Sequence, residues 1–279
     1  MQYYQYCSIL TIAGSDSGGG AGIQADLKTF AALGCYGTSA ITAITAQNTL
    51  GVTGIHIVPP VMIQNQIRAV MDDIRPAVVK IGMLPDEETV KTVADTLKSY
   101  QAVPIILDPV ISSGSGKQLA NNEALLAMKE LLFPMVTLLT PNLNETAQLI
   151  GKQASNADDM KKAAETLLNL GSHAVLVKGG HLTGAELYNV YADQQGERKT
   201  LAYPFVATSN THGTGCTLAS AIAACMARGQ SLIEAIDAAG EYVNIAIKEG
   251  RNVKTGEGYG PLNHFFRPRK QAKINPDLT

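Results

Sequence analysis

The chain has 279 residues, and 46% of them are hydrophobic, which is enough for one large core. Its formal charge of −2 excludes a strongly basic surface of the kind that binds nucleic acid. No run reaches about 18 apolar residues, and no Lys or Arg precedes the short apolar run near the amino terminus, so we expect neither a membrane span nor a secretory signal. The sequence therefore predicts a soluble, cytoplasmic protein without nucleic-acid or membrane partners.

The four cysteines are spaced like free thiols. Cys7 and Cys35 lie far from the other two, and the separation of Cys216 and Cys225 matches no usual zinc motif. We therefore expect reduced cysteines and no cysteine-bound metal.

Short runs rich in Ile and Val alternate with segments of helical period, which is typical of a parallel sheet covered by helices. Strands are expected near Ser8–Ala13, Thr38–Ala46, Val78–Ile81, Pro104–Asp108, Val136–Thr140 and Ala174–Lys178. Helices are expected at Ala21–Leu33, Val61–Ile74, Asp86–Tyr100, Asn122–Phe133, Asn142–Ile150 and Ala157–Leu170.

The alternation changes in the last third of the chain. Glu186–Val206 alternates polar and apolar residues and predicts an antiparallel ribbon at one sheet edge. Two helices, about Thr214–Arg228 and Ser231–Glu249, follow it. We predict a single α/β domain over residues 1–279, with three α/β/α layers and a mostly parallel sheet, and a loose polar tail from about Pro268.

Polar motifs follow the predicted strands. In chain order they are "AGSDSGGGAGIQADLKTF", Gln47 with Asn48, "KIGML", "LDPV", "TPNLNE", "VKGGH" and "THGTGC". Any one of them is compatible with an ordinary loop, because Gly and Pro occur in most connections. Since the carboxyl ends of parallel strands share one edge of a sheet, the whole set predicts a ligand site at that edge.

Two segments look like nucleotide-binding motifs but fail the pattern. The frame that starts at Gly18 departs from GxGxxG because Ile23 stands at the last position. The segment "SGSGKQ" ends like a phosphate loop, yet Ile111 stands at the first glycine and Gln118 replaces the Ser or Thr. The sequence therefore supports neither a dinucleotide-binding dehydrogenase nor a Walker-type ATPase.

A better anion site precedes the helix that is predicted from Thr214. The N–H groups of Gly213–Gly215, together with the positive end of the helix dipole, can cradle a phosphoryl group. Cys216 lies in the first turn, where the pKa of its thiol is expected to fall and a thiolate can accept a proton from an attacking hydroxyl. The alternative is a small cysteine buried in the core.

These motifs, with "TAITAQNT" and "GPLNHF", resemble the hydroxymethylpyrimidine/phosphomethylpyrimidine kinases of thiamin synthesis, which belong to the ribokinase superfamily. The resemblance extends from about Ser8 to Phe266. It implies a ribokinase-like fold and a homodimer that uses ATP and Mg²⁺. It also implies phosphorylation of the hydroxymethyl group of 4-amino-5-hydroxymethyl-2-methylpyrimidine and then of the resulting monophosphate.

The resemblance implies a set of residues for phosphoryl transfer. Cys216 stands where ribokinases place an aspartate base, and the amides of Gly213 and Gly215 would stabilise the moving phosphoryl group. Lys178 and Thr214 match nucleotide-binding positions. For Lys178 the alternative is a solvated lysine at a strand end.

The resemblance also implies a metal site. Asp108 and Glu145, with the nucleotide-binding residue Asn142, match acidic positions that are associated with Mg²⁺, usually through water. The alternative for Asp108 is a turn-forming residue before proline.

Five residues are expected to hold the acceptor. Asp26 is expected on the face of the first helix that is turned to the pocket, where it can accept from the pyrimidine amine, and Gln47 can donate and accept at the ring edge. Gly14, Met83 and Val110 would supply close backbone approach and apolar walls. The alternatives are a surface residue for Asp26 and a loop amide for Gln47.

Other readings stay open. The polar loop at residues 110–118 is long enough to be a lid over the γ-phosphate or an ordinary mobile loop. A pyridoxal kinase is the alternative enzyme, although the pyridoxal-specific branch tends to carry Met where this chain has Gln47. A silent small-molecule binder is disfavoured because Cys216, Asp108, Glu145 and Lys178 are all present.

Overall fold

The computed structural model describes residues 4–100, 103–114, 116–180 and 186–274. Within these ranges the strands are β1 (Gln5–Tyr6), β2 (Ser8–Asp16), β3 (Tyr36–Asn48), β4 (Gly51–Ile57), β5 (Val78–Ile81), β6 (Ile105–Leu107), β7 (Leu138–Leu139), β8 (Ala174–Lys178), β9 (Glu186–Asp193), β10 (Arg198–Pro204) and β11 (Lys273–Ile274). The α-helices are α1 (Gly22–Ala32), α2 (Pro60–Asp73), α3 (Glu87–Leu97), α4 (Asn122–Ala127), α5 (Leu143–Ile150), α6 (Ala157–Leu168), α7 (Thr214–Ala227) and α8 (Leu232–Gly250).

One large sheet runs through the described part of the chain in the order β10-β9-β8-β7-β6-β5-β2-β3-β4. The six strands from β8 to β3 are parallel, and β9 and β10 form the predicted antiparallel ribbon at one edge. At the other edge β4 pairs antiparallel with β3, and this strand was not predicted. The parallel sheet and the ribbon are therefore confirmed.

The helices cover both faces of the sheet. Successive strand residues point to opposite faces, so Ile9 and Leu10 of β2 enter different cores. One core includes Ile63 of α2 with residues of α3, α4 and α6, and the other includes Phe30 of α1 with residues of α7 and α8. This confirms the predicted three-layer α/β/α architecture.

The helix predicted over Asn122–Phe133 is shorter and irregular. Its α-helical part ends at Ala127, and a π-helical turn at Met128–Leu132 and a 3₁₀ turn at Phe133–Met135 follow. Pro134 lacks the N–H that would continue the α-helical ladder, so the segment ends in a tighter turn. The segment still packs against the core through Met128 and Leu132.

The loose tail expected from Pro268 is wrong for residues 268–274. Arg269 N–H donates to the carbonyl of Ala32 at 2.8 Å, and Ala272 N–H donates to the carbonyl of Gly34 at 2.8 Å. The β11 strand then pairs antiparallel with β1. Residues 275–279 lie outside the described residues.

Candidate active site

The amino terminus of α7 forms an open anion site. Gly213 is its N-cap with φ +83°, and a Cβ atom at this position would overlap the carbonyl oxygen of Gly20, so only glycine fits. No side chain caps the helix, and no acidic residue lies in its first turn. The N–H groups of Gly215 and Cys216 have no protein acceptor among the described residues. These donors and the helix dipole therefore suit a phosphate group. Of the N–H groups predicted for this role, that of Gly215 is open, whereas the N–H of Cys216 was not among them.

Thr214 is partly committed within its own turn. Its hydroxyl donates to the carbonyl of Thr211 at 2.7 Å, and its N–H donates to the same oxygen at 3.2 Å. The lone pairs of the hydroxyl remain available to a donor or a cation.

Cys216 is half-buried at this helix start. Burial raises the pKa of the Cys216 thiol to about 11, against the Lys80 ammonium and the Gly22 N–H, which lower it, while Asp26 and Asp108 raise it further. The expectation that the helix start lowers this pKa is therefore wrong for the free protein. The thiol is protonated at neutral pH, and a base role requires it to lose that proton first.

Lys178, Asp108 and Glu145 form a buried cluster where β6, β7 and β8 end. Lys178 Nζ lies 2.6 Å from Asp108 Oδ1 and 4.0 Å from Glu145 Oε2. Burial raises the pKa of Glu145 to about 7, because the Lys178 charge only partly offsets it and Asp108 adds repulsion. Burial acts to lower the pKa of Lys178, but Asp108 and Glu145 raise it more. The cluster therefore favours a cation at this point.

A glycine lets this cluster meet the anion site. A Cβ atom on Gly215 would lie 3.1 Å from Lys178 Nζ and 3.5 Å from Asp108 Oδ2. A larger residue at 215 would therefore crowd the ammonium group and the carboxylate. The structure brings together the predicted transfer residues Gly213, Gly215, Asp108 and Lys178.

Asn142 and Glu145 form a capping box at the start of α5. Asn142 Oδ1 accepts from the N–H of Glu145 at 2.9 Å, and Glu145 Oε2 accepts from the N–H of Asn142 at 2.7 Å. This explains locally why Glu145 points toward Lys178. Asn142 also pairs with Lys178 as an isolated parallel β-bridge, so the predicted metal and nucleotide positions are neighbours.

Asp108 and Glu145 suit a Mg²⁺ ion that has water and phosphate oxygens as most of its ligands. Asp108 Oδ2 has no protein donor among the described residues, and Glu145 stands beside it in the cluster. No group of three or more His, Cys, Asp or Glu side chains in the described ranges could hold a metal ion alone. Mg²⁺ commonly binds one or two carboxylates and keeps several waters, which matches this donor set.

Three of the predicted acceptor residues lie close to these groups. A Cβ atom on Gly14 would lie 2.9 Å from the sulfur of Met83, so these two residues touch. The Gly14 carbonyl packs against Gly22, whose N–H reaches Cys216. Val110 N–H donates to the carbonyl of Asp108 at 2.8 Å. Gly14 and Met83 therefore lie near Cys216, and Val110 lies beside Asp108.

Asp26 does not face the pocket. Its side chain is fully buried, and Lys80 Nζ lies 3.0 Å from Oδ1 and 2.9 Å from Oδ2. The hydroxyl of Ser220 donates to Oδ1 at 2.7 Å, and that of Thr11 donates to Oδ2 at 2.6 Å. Each Asp26 oxygen therefore already accepts two hydrogen bonds within the protein. Neither oxygen is left for a substrate amine, so the structure does not support the expectation that Asp26 binds it.

Gln47 lies half-buried at the end of β3 and contacts His212, which in turn contacts Asp16. Sequence reasoning missed both His212 and Asp16. Its Nε2 lies 3.3 Å from Nε2 of His212, and that same ring nitrogen lies 2.9 Å from Oδ2 of Asp16. Asp16 and His212 stand inside the motifs "GSDSGGGAG" and "THGTGC", so their position was visible as a signal. Their contact across 196 residues was not.

The loop at residues 110–118 is folded back on itself. Ser112 pairs with Gln118 as an isolated β-bridge, and the N–H of Ser113 donates to the carbonyl of Lys117 at 2.8 Å. Lys117 Nζ then donates to the carbonyl of Val52 in β4 at 3.2 Å. The use of this loop as a lid stays a prediction, and residue 115 lies outside the described residues.

Across the described ranges, no helix is both long enough and apolar enough to cross a bilayer.

Relatives match almost the whole chain. The family described as phosphomethylpyrimidine kinase matches residues 16–263. A hydroxymethylpyrimidine/phosphomethylpyrimidine kinase from Rhizobium meliloti is 47% identical over 259 residues, covering 92% of this chain and 97% of that protein. A thiamine biosynthesis bifunctional protein from Geobacter sulfurreducens is 46% identical, and the chain spans about half of that protein, namely 52%.

Solved structures agree with these matches. The phosphomethylpyrimidine kinase from Clostridium difficile 630 is 42% identical with a TM-score of 0.76, covering 86% of this chain and 99% of that one. The pyridoxal kinase from Staphylococcus aureus in complex with pyridoxal is 35% identical with a TM-score of 0.85, covering 93% and 94%. The ribokinase-like fold is confirmed, and together with the site it defines a small-molecule kinase. The family match is equally direct: the chain belongs to the phosphomethylpyrimidine kinase family.

Proposed function

We propose that this chain is an ATP-dependent kinase that phosphorylates 4-amino-5-hydroxymethyl-2-methylpyrimidine and then its monophosphate in thiamin biosynthesis. The observation that carries the proposal is the uncapped start of α7, with Cys216 in its first turn and the Lys178–Asp108–Glu145 cluster against Gly215. The names of relatives that are 42–47% identical support the choice of substrate and pathway.

The nucleotide would bind across the anion site and the cluster. The N–H groups of Gly215 and Cys216 would face the phosphate that is transferred, and Lys178 would reach the other phosphates with Asn142 and Thr214 beside it. Asp108 and Glu145 would hold Mg²⁺, which neutralises charge on the phosphates when bound.

The acceptor would lie on the other side of Cys216. Gly14, Met83 and Val110 would contact the ring, and Gln47 would bond its polar edge. Cys216 would first lose its own proton to water. The thiolate sulfur would then take the hydroxyl proton as the hydroxymethyl oxygen attacks the γ-phosphorus and ADP leaves. Burial disfavours the thiolate and raises the pKa of Cys216 to about 11. The positive charge of the Lys80 ammonium lowers this pKa, so Lys80 is the side chain that stabilises the thiolate.

A pyridoxal kinase is the second candidate. It is favoured by the TM-score of 0.85 to the Staphylococcus aureus pyridoxal kinase, although that protein is only 35% identical. Gln47 disfavours it, because a polar pair in the site that finds no partner on the ring costs roughly 1–3 kcal/mol, or about tenfold to a hundredfold in specificity.

A coupled assay of ADP formation with hydroxymethylpyrimidine, its monophosphate and pyridoxal tests the choice. We expect the highest kcat/KM for the pyrimidines, and Gln47→Met should narrow the gap to pyridoxal. Gln230→Met, an exposed glutamine beyond the far end of α7, is the matched control and should leave the ratio unchanged. A higher kcat/KM for pyridoxal in the wild-type protein would reverse the assignment.

A homodimer in the cytoplasm completes the proposal. Apolar side chains are exposed at the β3–β4 edge, where Ile44 is 52%, Leu50 is 67% and Ile57 is 39% exposed. A second copy is the occupant that the family resemblance implies for such a surface. Light scattering should give twice the chain mass, and Ile44→Lys should shift it toward the monomer. A wild-type monomer at micromolar concentration would contradict the dimer.

A further inference from the structure

The side chains of Asp16, His212, Gln47 and Thr45 form a continuous series of contacts beside the start of α7, which ends at the backbone carbonyl of Ser15. His212 Nε2 lies 2.9 Å from Asp16 Oδ2 and 3.3 Å from Gln47 Nε2. Gln47 Oε1 lies 3.2 Å from the Thr45 hydroxyl, which donates to the carbonyl of Ser15 at 2.9 Å. This series of contacts begins at the buried carboxylate of Asp16 and ends at the backbone carbonyl of Ser15. Each donor and acceptor between these two ends can therefore be counted.

Asp16 is the fixed acceptor at one end. Its oxygens accept from the N–H groups of Gly18 at 2.8 Å, Gly20 at 3.1 Å and Ala21 at 2.8 Å. Burial acts to raise the pKa of Asp16, but the bonds from His212 and from the backbone lower it overall. An ionised carboxylate only accepts, so His212 Nε2 must carry the proton between them.

The Thr45 hydroxyl fixes the other end. It has one hydrogen, and the shorter of its two contacts, to the Ser15 carbonyl, uses it. It can therefore only accept from Gln47. His212 Nε2 also has one hydrogen, which it shares between Asp16 Oδ2 at 2.9 Å and Gln47 at 3.3 Å. A protonated ring nitrogen has no lone pair to accept with, so Gln47 must turn an acceptor toward it.

Turning the Gln47 carboxamide over satisfies both ends at once. The group keeps its shape when its oxygen and nitrogen exchange places, and hydrogen-bond partners decide between the two orientations. With Oε1 toward His212 and Nε2 toward Thr45, each contact joins a donor to an acceptor. One N–H and one lone pair of Oε1 then stay free for a ligand.

The ring of His212 is held on several sides. A Cβ atom on Gly20 would overlap its Cδ2 atom, so the ring packs directly on that glycine. The backbone of His212 is also fixed: its main-chain N–H donates to the carbonyl of Gly260 at 3.0 Å, and the residue pairs with Pro261 as a parallel β-bridge. The ring therefore cannot easily follow Gln47 if the amide rotates.

We propose that Asp16 and His212 are positioning residues that hold the Gln47 carboxamide in one orientation, and thereby select a ring that carries an amine beside an acceptor nitrogen. This inference rests on the proposed function. An amide held by His212 and Thr45 presents its free acceptor and its free donor in a fixed order. A ring without the amine leaves that acceptor unpaired, and a rotating amide would lose the distinction.

The test compares the aminopyrimidine alcohol with its analogue that lacks the 4-amino group. We expect His212→Leu to lower kcat/KM for the amino compound about tenfold, the value of one or two hydrogen bonds, mainly through KM. Turnover of the analogue should change less than twofold. His212→Gln keeps a donor and should restore most of the preference.

A double-mutant cycle makes the test specific. In a Gln47→Met background, His212→Leu should cost little more, because the amide it positions is gone. The control His173→Leu, an exposed histidine before β8, should leave both substrates unchanged. Should His212→Leu fail to fold, His212→Phe, which removes the donor but keeps a flat ring on Gly20, replaces it in the cycle.

The outcomes separate this inference from the proposed function. Equal losses for the two alcohols, or additive losses in the cycle, would overturn the positioning role. If the wild-type protein phosphorylated neither alcohol, the proposed function itself would be wrong. A wild-type preference for the amino compound that survives in His212→Leu would remove only the role of Asp16 and His212.

Discussion

Two buried lysine–aspartate pairs act on Cys216, and they differ in how completely their atoms are used. Lys80 and Asp26 have no exposed side-chain surface, and each Asp26 oxygen also accepts a hydrogen bond from a hydroxyl group. Lys178 is 11% exposed, and its partner Asp108 keeps Oδ2 without a protein donor among the described residues. The first pair is complete, whereas the second has room for a ligand.

The difference indicates which pair is structural. A buried ion pair is best tolerated when its polar atoms have partners, and each oxygen of Asp26 has two donors without any ligand. Lys178–Asp108 does not, because Glu145 adds a second carboxylate and one oxygen stays free. From their residue types alone, the two lysine–aspartate pairs would have looked equally able to bind a ligand.

The largest expected effect comes from the residue on which both pairs act. Cys216→Ala should lower kcat by about 10²–10⁴, the usual range for a positioned general base. ATP and the pyrimidine should still bind, because the anion site of α7 is made of backbone. Steady-state kinetics and calorimetry measure both. A variant with near-normal kcat would show that Cys216 is only a small packing residue.

The complete pair should matter most for stability. Asp26→Asn leaves the Lys80 charge buried without its partner and should lower the free energy of unfolding by about 3–5 kcal/mol. Urea denaturation measures the change. The control is Asp95→Asn, which breaks the exposed Lys98–Asp95 pair and should cost about 0–1 kcal/mol. Equal effects of the two variants would remove the contrast.

The incomplete pair should matter for the metal. Asp108→Asn and Glu145→Gln should each raise the Mg²⁺ concentration that gives half-maximal activity by about 10–100-fold, with a lower kcat. Pyrimidine affinity should stay nearly constant, since these carboxylates lie on the nucleotide side. Loss of pyrimidine binding with an unchanged Mg²⁺ requirement would assign them to the acceptor instead.

The last expectation concerns the reactivity of the wild-type thiol, without any substitution. Because burial raises the pKa of Cys216 to about 11, its alkylation should be slow at pH 7. The thiolate fraction of such a group rises about tenfold for each pH unit below its pKa, so the rate should rise likewise between pH 7 and 10. Mass spectrometry after timed alkylation follows this. A rate that is already maximal at pH 7 would contradict the raised pKa.

The sequence predicted regular elements well where one residue pattern dominated. The bounds of β5 and β8 agree with the predicted runs, because buried parallel strands are continuous in Ile and Val. The edge strand β4 was missed, since its seven residues include two glycines and are mostly half-exposed. Edge strands need less apolar sequence, so pattern alone gives them little signal.

The site was predictable in its parts but not in its pairings. The glycines, the carboxylates and Lys178 follow strand ends, and topology alone brings such residues to one edge. The role of Asp26 depends on Lys80, 54 residues away, and on Ser220, 194 residues away. The expected low pKa of Cys216 failed for a similar reason, because burial, with Asp26 and Asp108, outweighs the Lys80 charge and the Gly22 N–H.

The contact between Asp16 and His212 also bears on how the protein is made. The two residues are 196 positions apart, so at about 5–20 residues per second a ribosome needs roughly 10–40 s to pass from one to the other. Gly213, which only fits against Gly20, arrives just after His212. A nascent chain that already carries most of the sheet still lacks this side of the site. The uncapped start of α7 therefore cannot form before the ribosome has passed Cys216.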